Sequence, residues 1–539
     1  MDTGDQRSTW IETLVLEPPS LSNNTADQER LAGALEKRLG CAAVQLDPAL
    51  LQRLPTLLRR WDFALRCALV HDRDAWHVCG LTGAADREPL CGLAIDLGTT
   101  RIALSLLNLE TTEVLREDSF DNPQGAIGPD VLTRVHYADE EDGLHHLRRL
   151  VVEGLNRNIT ALCRGVPIVP SRIALLALAG NTTMTHLVMG LNPRWMIREP
   201  YIPVVNRPGL LSAASLGLKV ASSARVIVFP NIGSYFGGDL IAGILYSNLD
   251  RRSQTALLVD VGTNAEVVLG NQNWLIACAG AAGPALESGV SRIGTTARPG
   301  AIDQVRIHGE ARRFALRTIA DKPPLGICGS GVIDLAAQLF DRGMIDIQGR
   351  FVPSICGKRL ITVDGELRLI VAEAGTTGSG EPLTIGQADL DSLIRSKAAM
   401  YTILETITEA VGMTPGQIET FFVAGTFGVF IDPRSAITIG MLPDLPLNHY
   451  RPLGNSSLEG AKMVLTKPSS LKRLDHIRDR ITYLELNVNQ AFMNRFSAAK
   501  FLPHTNTGLF PSVAGPQTDC AATVRRSGVA TTETKNCKR

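Results

Sequence analysis

The feature that most constrains this chain is a pattern written twice. Residues 91–100, CGLAIDLGTT, are an apolar run ending in a polar, glycine-bearing turn, and RIALSLLNL (101–109) resumes as a strand. LETTEVLRED (109–118) then supplies a turn and a third strand. Roughly 160 residues later the arrangement returns, and a repeat on that scale marks an internal duplication. There TALLVDVGTN (255–264) is followed by AEVVLG, a turn at Asn271-Gln272-Asn273, and WLIACAG. Helical stretches lie between and after the copies, Glu141–Cys163 and Asp389–Val411. A capping box at Thr384-x-x-Gln387 is expected to open the second, and Gly412 to stop it. Strands alternating with such helices predict an α/β protein of mixed sheets covered by helices.

At 539 residues the chain exceeds a single core and should divide. Residues 8–88 read as a small α/β domain. Its first helix opens at the capping box Thr25-Ala-Asp-Gln28, carries Leu31, Leu35 and Leu39 on one face, and stops at Gly40. Two lobes then span 91–250 and 251–513. The segment 514–539 is polar, rich in Thr and Ser and without periodicity, and reads as disordered.

Each repeated turn carries chemistry. In Asp96-Leu-Gly98-Thr99-Thr100, glycine lets backbone approach a ligand, and the turn's amides and hydroxyls form an anion-binding concavity. The strand-end Asp96 would repel a phosphate but suits a magnesium hydration shell. Asp260-Val-Gly262-Thr263-Asn264 offers the same set from the second copy, so the pair would grip a polyphosphate from both sides. Glu266 follows on the next strand, able to orient a water or magnesium or simply to face solvent. A third glycine-rich turn, Gly425-Thr-Phe427-Gly428, is suited to lie flat against an adenine or ribose. Gly329-Ser330 opens an apolar helix whose first amides either bind phosphate or only pack. Asp239 is a helix N-cap or a site carboxylate, His186 more often a core or cap histidine than a catalytic one, and Lys397 either reaches a ribose or lies on a solvated face.

Other chemistries fit less well. An aspartic protease wants a small hydroxyl residue where Leu97 and Val261 stand between Asp and Gly. Neither a P-loop lysine motif nor a G-x-G-x-x-G occurs. Lys plus Arg and Asp plus Glu balance at 54 each, and aromatics are 5%, so neither nucleic acid nor an anionic membrane is an expected partner. The N-terminus has no signal-peptide pattern and no long apolar run appears, which predicts a cytoplasmic protein. The ten cysteines form no C-x-x-C pair and read as reduced, buried thiols.

The turns at Asp96–Thr100, Asp260–Asn264 and Gly425–Gly428 resemble the phosphate-1, phosphate-2 and adenosine motifs of the superfamily of sugar and acetate kinases, heat-shock chaperone ATPases and actin. A narrower likeness runs through Asn122-Pro-Gln124, Gly128–Arg134, Gly180–His186, Gly237-Gly-Asp239, Cys278–Glu287, Gly440–Pro443 and Gly454-Asn455. These resemble, in family order, the reductive activators of corrinoid proteins. The resemblance implies duplicated ribonuclease-H-like (actin-like ATPase) lobes that bind ATP and Mg2+. Asp96, Asp260 and Glu266 would be catalytic, with Asp96 and Asp260 holding the metal through water. Gly98, Thr99, Thr100, Gly262, Thr263, Asn264, Gly329, Ser330, Gly425, Phe427 and Gly428 would bind the nucleotide.

The implied activity is ATP-dependent help in returning inactive cob(II)amide to cob(I)amide in a corrinoid protein partner; a homodimer is left open. Relatives carry an iron–sulfur cluster in an N-terminal ferredoxin domain or a C-terminal cysteine-rich one. Here Cys41, Cys67, Cys79 and Cys91 are spaced too widely for a plant-type ferredoxin, and Cys520 and Cys537 are a lone pair. The expectation is therefore no cluster in this chain and a separate low-potential electron donor such as a ferredoxin. A small-molecule kinase, or a nucleotide-dependent binding module without turnover, are the competing readings of the same scaffold.

Overall fold

The structure is a computed structural model. It describes residues 9–41, 43–72, 75–261, 264–281, 291–309, 311–425, 431–486 and 490–513. The 514–539 segment read as disordered lies outside the described residues. The chain forms two compact units, the first made of 1–281, 403–429 and 448–489, the second of the rest.

The first unit begins with a four-stranded sheet of β1 (Ile11–Val15), β2 (Val44–Leu46), β3 (Ala64–Asp72) and β4 (Ala75–Gly83), ordered β1-β3-β4-β2. The helix Asp27–Leu39 buries Leu31 and Leu35 against it in a core shared with Leu58 and Leu65. Gly40 ends that helix in the left-handed conformation, as expected. Its start differs from the sequence reading. Ala26 is the N-cap and has no side-chain bond, because the Thr25 hydroxyl donates instead to Asn23 Oδ1 at 3.1 Å. Trp10 Nε1 donates to the Val464 carbonyl at 3.1 Å and ties this domain to the rest of the unit.

Next comes a six-stranded sheet. Its strands are β5 (Cys91–Leu97), β6 (Arg101–Asn108), β7 (Val114–Asp121), β8 (Ile173–Gly180), β9 (Gly209–Ser212) and β10 (Arg225–Val228), ordered β7-β6-β5-β8-β10-β9. The helix Gly143–Arg164 places Leu147, Val151, Leu155, Ile159 and Leu162 in one core with Leu93, Ile95 and Leu104. These positions recur at helical spacing, which is why the segment folds as an amphipathic cover.

The second meander is β11 (Ala256–Val261), β12 (Asn264–Gly270) and β13 (Leu275–Ala281). The chain then builds the second unit from two three-stranded sheets: β14 (Ala301–His308), β15 (Arg313–Thr318) and β16 (Gly326–Ile327), then β17 (Leu360–Val363), β18 (Glu366–Ala372) and β19 (Leu383–Gly386). The long helix Gln387–Glu409 begins in this unit, and from Ile403 onward its residues belong to the first. Thr384 does not cap it, being taken up in β19, where its hydroxyl and carbonyl accept from Arg368 at 2.8 and 3.0 Å. Lys397 is neither solvated nor free to reach a ribose. It is buried and its Nζ donates to the carbonyls of Phe501 and Pro503 at 2.6 and 2.7 Å.

Returning to the first unit, β20 (Thr420–Ala424), β21 (Tyr450–Gly454) and β22 (Ile481–Leu484) complete the second large sheet, ordered β21-β20-β11-β12-β13-β22. The duplication is now visible as topology. In each large sheet the first strand of the meander pairs antiparallel with the second and, on its other side, parallel with the strand that follows a long crossover. A further parallel strand stands beyond that one in both, β10 beside β8 and β21 beside β20. The fold is α/β, with duplicated ribonuclease-H-like lobes of the actin-like class and a small N-terminal α/β domain. No described helix is long and apolar enough to cross a membrane.

Candidate functional site

The two meander turns bring their aspartates to corresponding strand ends. Asp96 stands at the end of β5, opposite Ala103 on β6; Asp260 stands at the end of β11, opposite Glu266 on β12. Directly opposed residues of an antiparallel pair share one face, so Asp260 and Glu266 project together. Only the second copy carries this extra carboxylate, since Ala103 holds the matching place in the first.

A fourth carboxylate joins them. The helix Gly238–Ser247 has Gly237 as its N-cap, so Asp239 sits in the first turn rather than capping it, and its Oδ1 accepts from the Leu240 amide at 2.9 Å. Burial, followed by the charges of Asp260 and Asp96, pushes the Asp239 carboxyl up to about 7. Burial and the charges of Asp239 and Asp260 hold Glu266 well above the usual carboxylate range. Burial also raises Asp96. Glu266 is therefore not the solvent-facing strand residue that was one reading of it. Asp239 and Glu266 thus stand close enough to the neighbouring aspartates for their charges to repel.

Side chains from distant segments fix the first turn. Both Asp96 oxygens are held at the start of the helix Ser456–Thr466, Oδ2 accepting from Asn455 Nδ2 and Oδ1 from the Ser457 hydroxyl, each at 2.8 Å. Asn122 clamps the turn itself: its side-chain amide donates to the Gly98 carbonyl at 2.9 Å and its backbone N–H to the Thr100 carbonyl at 2.8 Å. Asn181 Nδ2 donates to the Thr99 hydroxyl at 2.9 Å. A Cβ on Gly98 would run into the Arg101 carbonyl, so this turn needs glycine. Sequence reasoning named the turn and left Asp239 between cap and site carboxylate, but missed Asn122, Asn181, Asn455 and Ser457 as neighbours of the turn. Three of these asparagines do stand inside motifs of the family likeness.

Of the remaining expected site residues, Gly425 ends β20 at φ +83°, where an added Cβ would lie 2.8 Å from Asp260 Oδ1. Backbone thus lies directly against the carboxylate. Gly262, Thr263, Phe427 and Gly428 fall outside the described residues, as does the Asn264 side chain. Gly329 and Ser330 belong to the second unit, in the first turn of the helix Gly329–Asp341, where the Ser330 hydroxyl lies 3.3 Å from Cys328 Sγ. His186 is a core residue: it is buried, Nδ1–H donates to the Thr182 carbonyl at 2.7 Å, and Nε2 accepts from the Val204 amide at 3.1 Å. The eight described cysteines are free thiols, all buried except Cys41.

Duplicated meanders with acidic strand-end turns and a carboxylate-bearing helix between them define an actin-like, ASKHA-type protein. Its three parts are matched in order by family models: residues 7–87 by the RACo linker region, 91–252 by the RACo middle region, and 254–514 by the C-terminal domain of RACo, the ASKHA domain. The corrinoid activation enzyme RamQ of Eubacterium limosum is 30% identical over 417 residues, 76% of this chain and 70% of that protein. A Methanosarcina barkeri reductase of the Co(II) methylated amine-specific corrinoid protein is 25% identical over 437 residues, covering 75% of each. Among solved structures, a reductive activator for corrinoid, iron–sulfur protein is 34% identical with a TM-score of 0.85, over 94% of this chain and 81% of that one. The chain belongs to the RACo family, the reductive activators of corrinoid proteins.

Proposed function

We propose that this protein hydrolyses MgATP to help return cob(II)amide to cob(I)amide in a corrinoid protein of a methyl-transfer system, drawing its electron from a separate low-potential donor. The observation that carries the reading is the convergence of Asp96, Asp239, Asp260 and Glu266 beside the duplicated turns. Among the described residues no group of three His, Cys, Asp or Glu side chains is arranged to hold a metal ion directly. That fits a cation kept in its water shell by Asp96 and Asp260, since magnesium gives up water reluctantly. Bound there, magnesium would supply positive charge that offsets the charge of the polyphosphate.

The protein's own groups divide the remaining work. Gly98–Thr100 and Gly262–Asn264 serve as the two phosphate-binding turns, and Gly425–Gly428 as the adenosine-binding turn. Asp239 accepts the proton of the attacking water at its carboxylate, and Glu266 orients that water. Asn455 and Ser457 hold Asp96 in one rotamer, so the acid is set before nucleotide arrives. The lobes 91–250 and 251–513 each contribute one phosphate turn.

A carboxylate base beside a phosphate site also suits a small-molecule kinase, and the fate of the phosphoryl group separates the two. Turnover in 18O-labelled water should give inorganic phosphate that carries the label, at a rate raised by the cob(II)amide-loaded corrinoid protein. Phosphate delivered to a hydroxyl of an added small molecule, with no response to the corrinoid protein, would establish the kinase.

A further inference from the structure

Arg134, on the helix Val131–Ala138, is 0% exposed, and no carboxylate is among its hydrogen-bond partners. Its Nε–H donates to the Gly128 carbonyl at 2.9 Å, and Nη1 lies 3.3 Å from both Gln124 Oε1 and Met184 Sδ. Nη2 has no partner among the described residues. Burial pushes the guanidinium down to about 10, and the acid whose charge acts the other way is Asp130. That carboxylate is itself taken up by Thr133, whose amide and hydroxyl donate to it at 2.9 and 2.8 Å. A buried cation held only by uncharged groups is costly, and an apolar side chain would fill the same space at less cost. What arginine adds is reach, because its donors sit in a planar fork that can tie several chain segments at once.

The segments it ties are the two that hold Gly98–Thr100. Gln124 and Gly128 belong to the turn that Asn122 opens, where the Gln124 amide donates to Asn122 Oδ1 at 3.0 Å and the Gly128 amide to the Gln124 carbonyl at 3.2 Å. Gln124 Nε2 donates to the Leu147 carbonyl at 2.9 Å, which leaves Oε1 for Arg134. Asn122 grips the carbonyls of Gly98 and Thr100. Met184 stands on the helix Thr182–Met189. The N-cap of that helix, Asn181, accepts from the Met184 amide at 2.9 Å and donates to the Thr99 hydroxyl. One buried side chain thus touches both clamps of the turn.

We infer that Arg134 is a positioning residue for the Gly98–Thr100 turn, holding from one buried place the two elements whose asparagines grip it. This rests on the function proposed above, which makes that turn a phosphate site, and adds the residue that sets it before nucleotide arrives. If the ties loosen, nucleotide must order the turn itself, and its apparent affinity falls with the fraction of molecules in which the turn is in place.

The experiment compares wild type with Arg134→Lys and Val135→Ala. Arg134→Lys keeps the cation and loses the fork. Val135→Ala opens a cavity at the next residue of the same helix, which is 1% exposed, and removes no side-chain hydrogen bond. Hydrogen exchange of the Asn122 amide, the donor to the Thr100 carbonyl, is read in the free protein. Affinity and stoichiometry are read by titration with a non-hydrolysable ATP analogue and magnesium. In Arg134→Lys, exchange at Asn122 should quicken and affinity should fall, each at least about tenfold, with the number of binding sites unchanged. Val135→Ala should unfold at a lower temperature yet keep wild-type exchange at Asn122 and wild-type affinity. Arg134→Lys with wild-type exchange, or with fewer sites of wild-type affinity, overturns the assignment, and so does Val135→Ala reproducing its effects. If Arg134→Lys does not fold, Met184→Leu, close in size, carries the test: it should show a smaller loss in the same direction, and wild-type behaviour there overturns the assignment. Failure of wild type to bind the analogue overturns the proposed function, while exchange at Asn122 still decides the part played by Arg134.

Discussion

Replacing Asp239 by Asn should reduce kcat for MgATP hydrolysis about 10²–10⁴-fold, the range expected when a general base is removed. Asparagine has the same shape and still accepts from the Leu240 amide, the hydrogen bond seen for Asp239 Oδ1. The loss would thus be of proton-accepting power and not of geometry. Asp239 stands in the field of Asp96 and Asp260, so removing its charge relieves repulsion. The variant should accordingly bind MgATP at least as well as wild type and unfold at the same or a higher temperature, a trade of stability against activity. Rapid-quench turnover, nucleotide titration and calorimetry on one preparation read all three. Wild-type kcat in this variant would remove Asp239 from the mechanism.

Asp260→Ala should act differently. It removes an acid proposed to hold magnesium through water, and leaves Gly425 backbone facing an empty place where the carboxylate had been. Hydrolysis should fall by at least about 10³-fold, equivalent to ~4 kcal/mol of transition-state stabilisation. The distinguishing readout is the metal: wild type should bind ATP far more tightly with magnesium than without it, and Asp260→Ala should lose most of that difference. Because Val259 and Val261 on either side are fully packed core residues, the strand itself should remain in place. If magnesium still strengthens ATP binding as in wild type, the ion is held elsewhere.

What could be read from the sequence follows the range of the interactions involved. The paired strands of each meander were legible because strand, tight turn and strand are set by neighbouring residues, and the duplication repeated the message. Asp239 was ambiguous because, read locally, an acid after two glycines at a helix start is a cap. Only the fold carries it to Asp96 and Asp260. Asn455 and Ser457 lie 359 and 361 residues from Asp96, beyond any local pattern. Both capping boxes failed for one reason: a hydroxyl takes whichever partner the tertiary structure offers, Asn23 for Thr25 and Arg368 for Thr384. Lys397 read as a surface residue because lysine usually is one, and two carbonyls more than 100 residues away reverse that expectation.

The same contrast bears on the asymmetry of the two copies. Ala103 and Glu266 occupy matching places, yet only the second copy keeps a carboxylate there. Of two turns alike in sequence, one presents a single acid whose oxygens are both held by Asn455 and Ser457. The other presents a pair in contact with the field of Asp239.

The central claim is that ATP drives corrinoid reduction through this chain with an outside electron. The most direct measurement mixes the protein, MgATP, reduced ferredoxin and a cob(II)amide-loaded corrinoid protein under strict anaerobiosis and follows the cobalt absorption spectrum. The account predicts that cob(I)amide, or its methylated product, accumulates only when all four are present. Cob(I)amide formed at the same rate without ATP, or formed by this chain and ATP with no reduced donor, would contradict it.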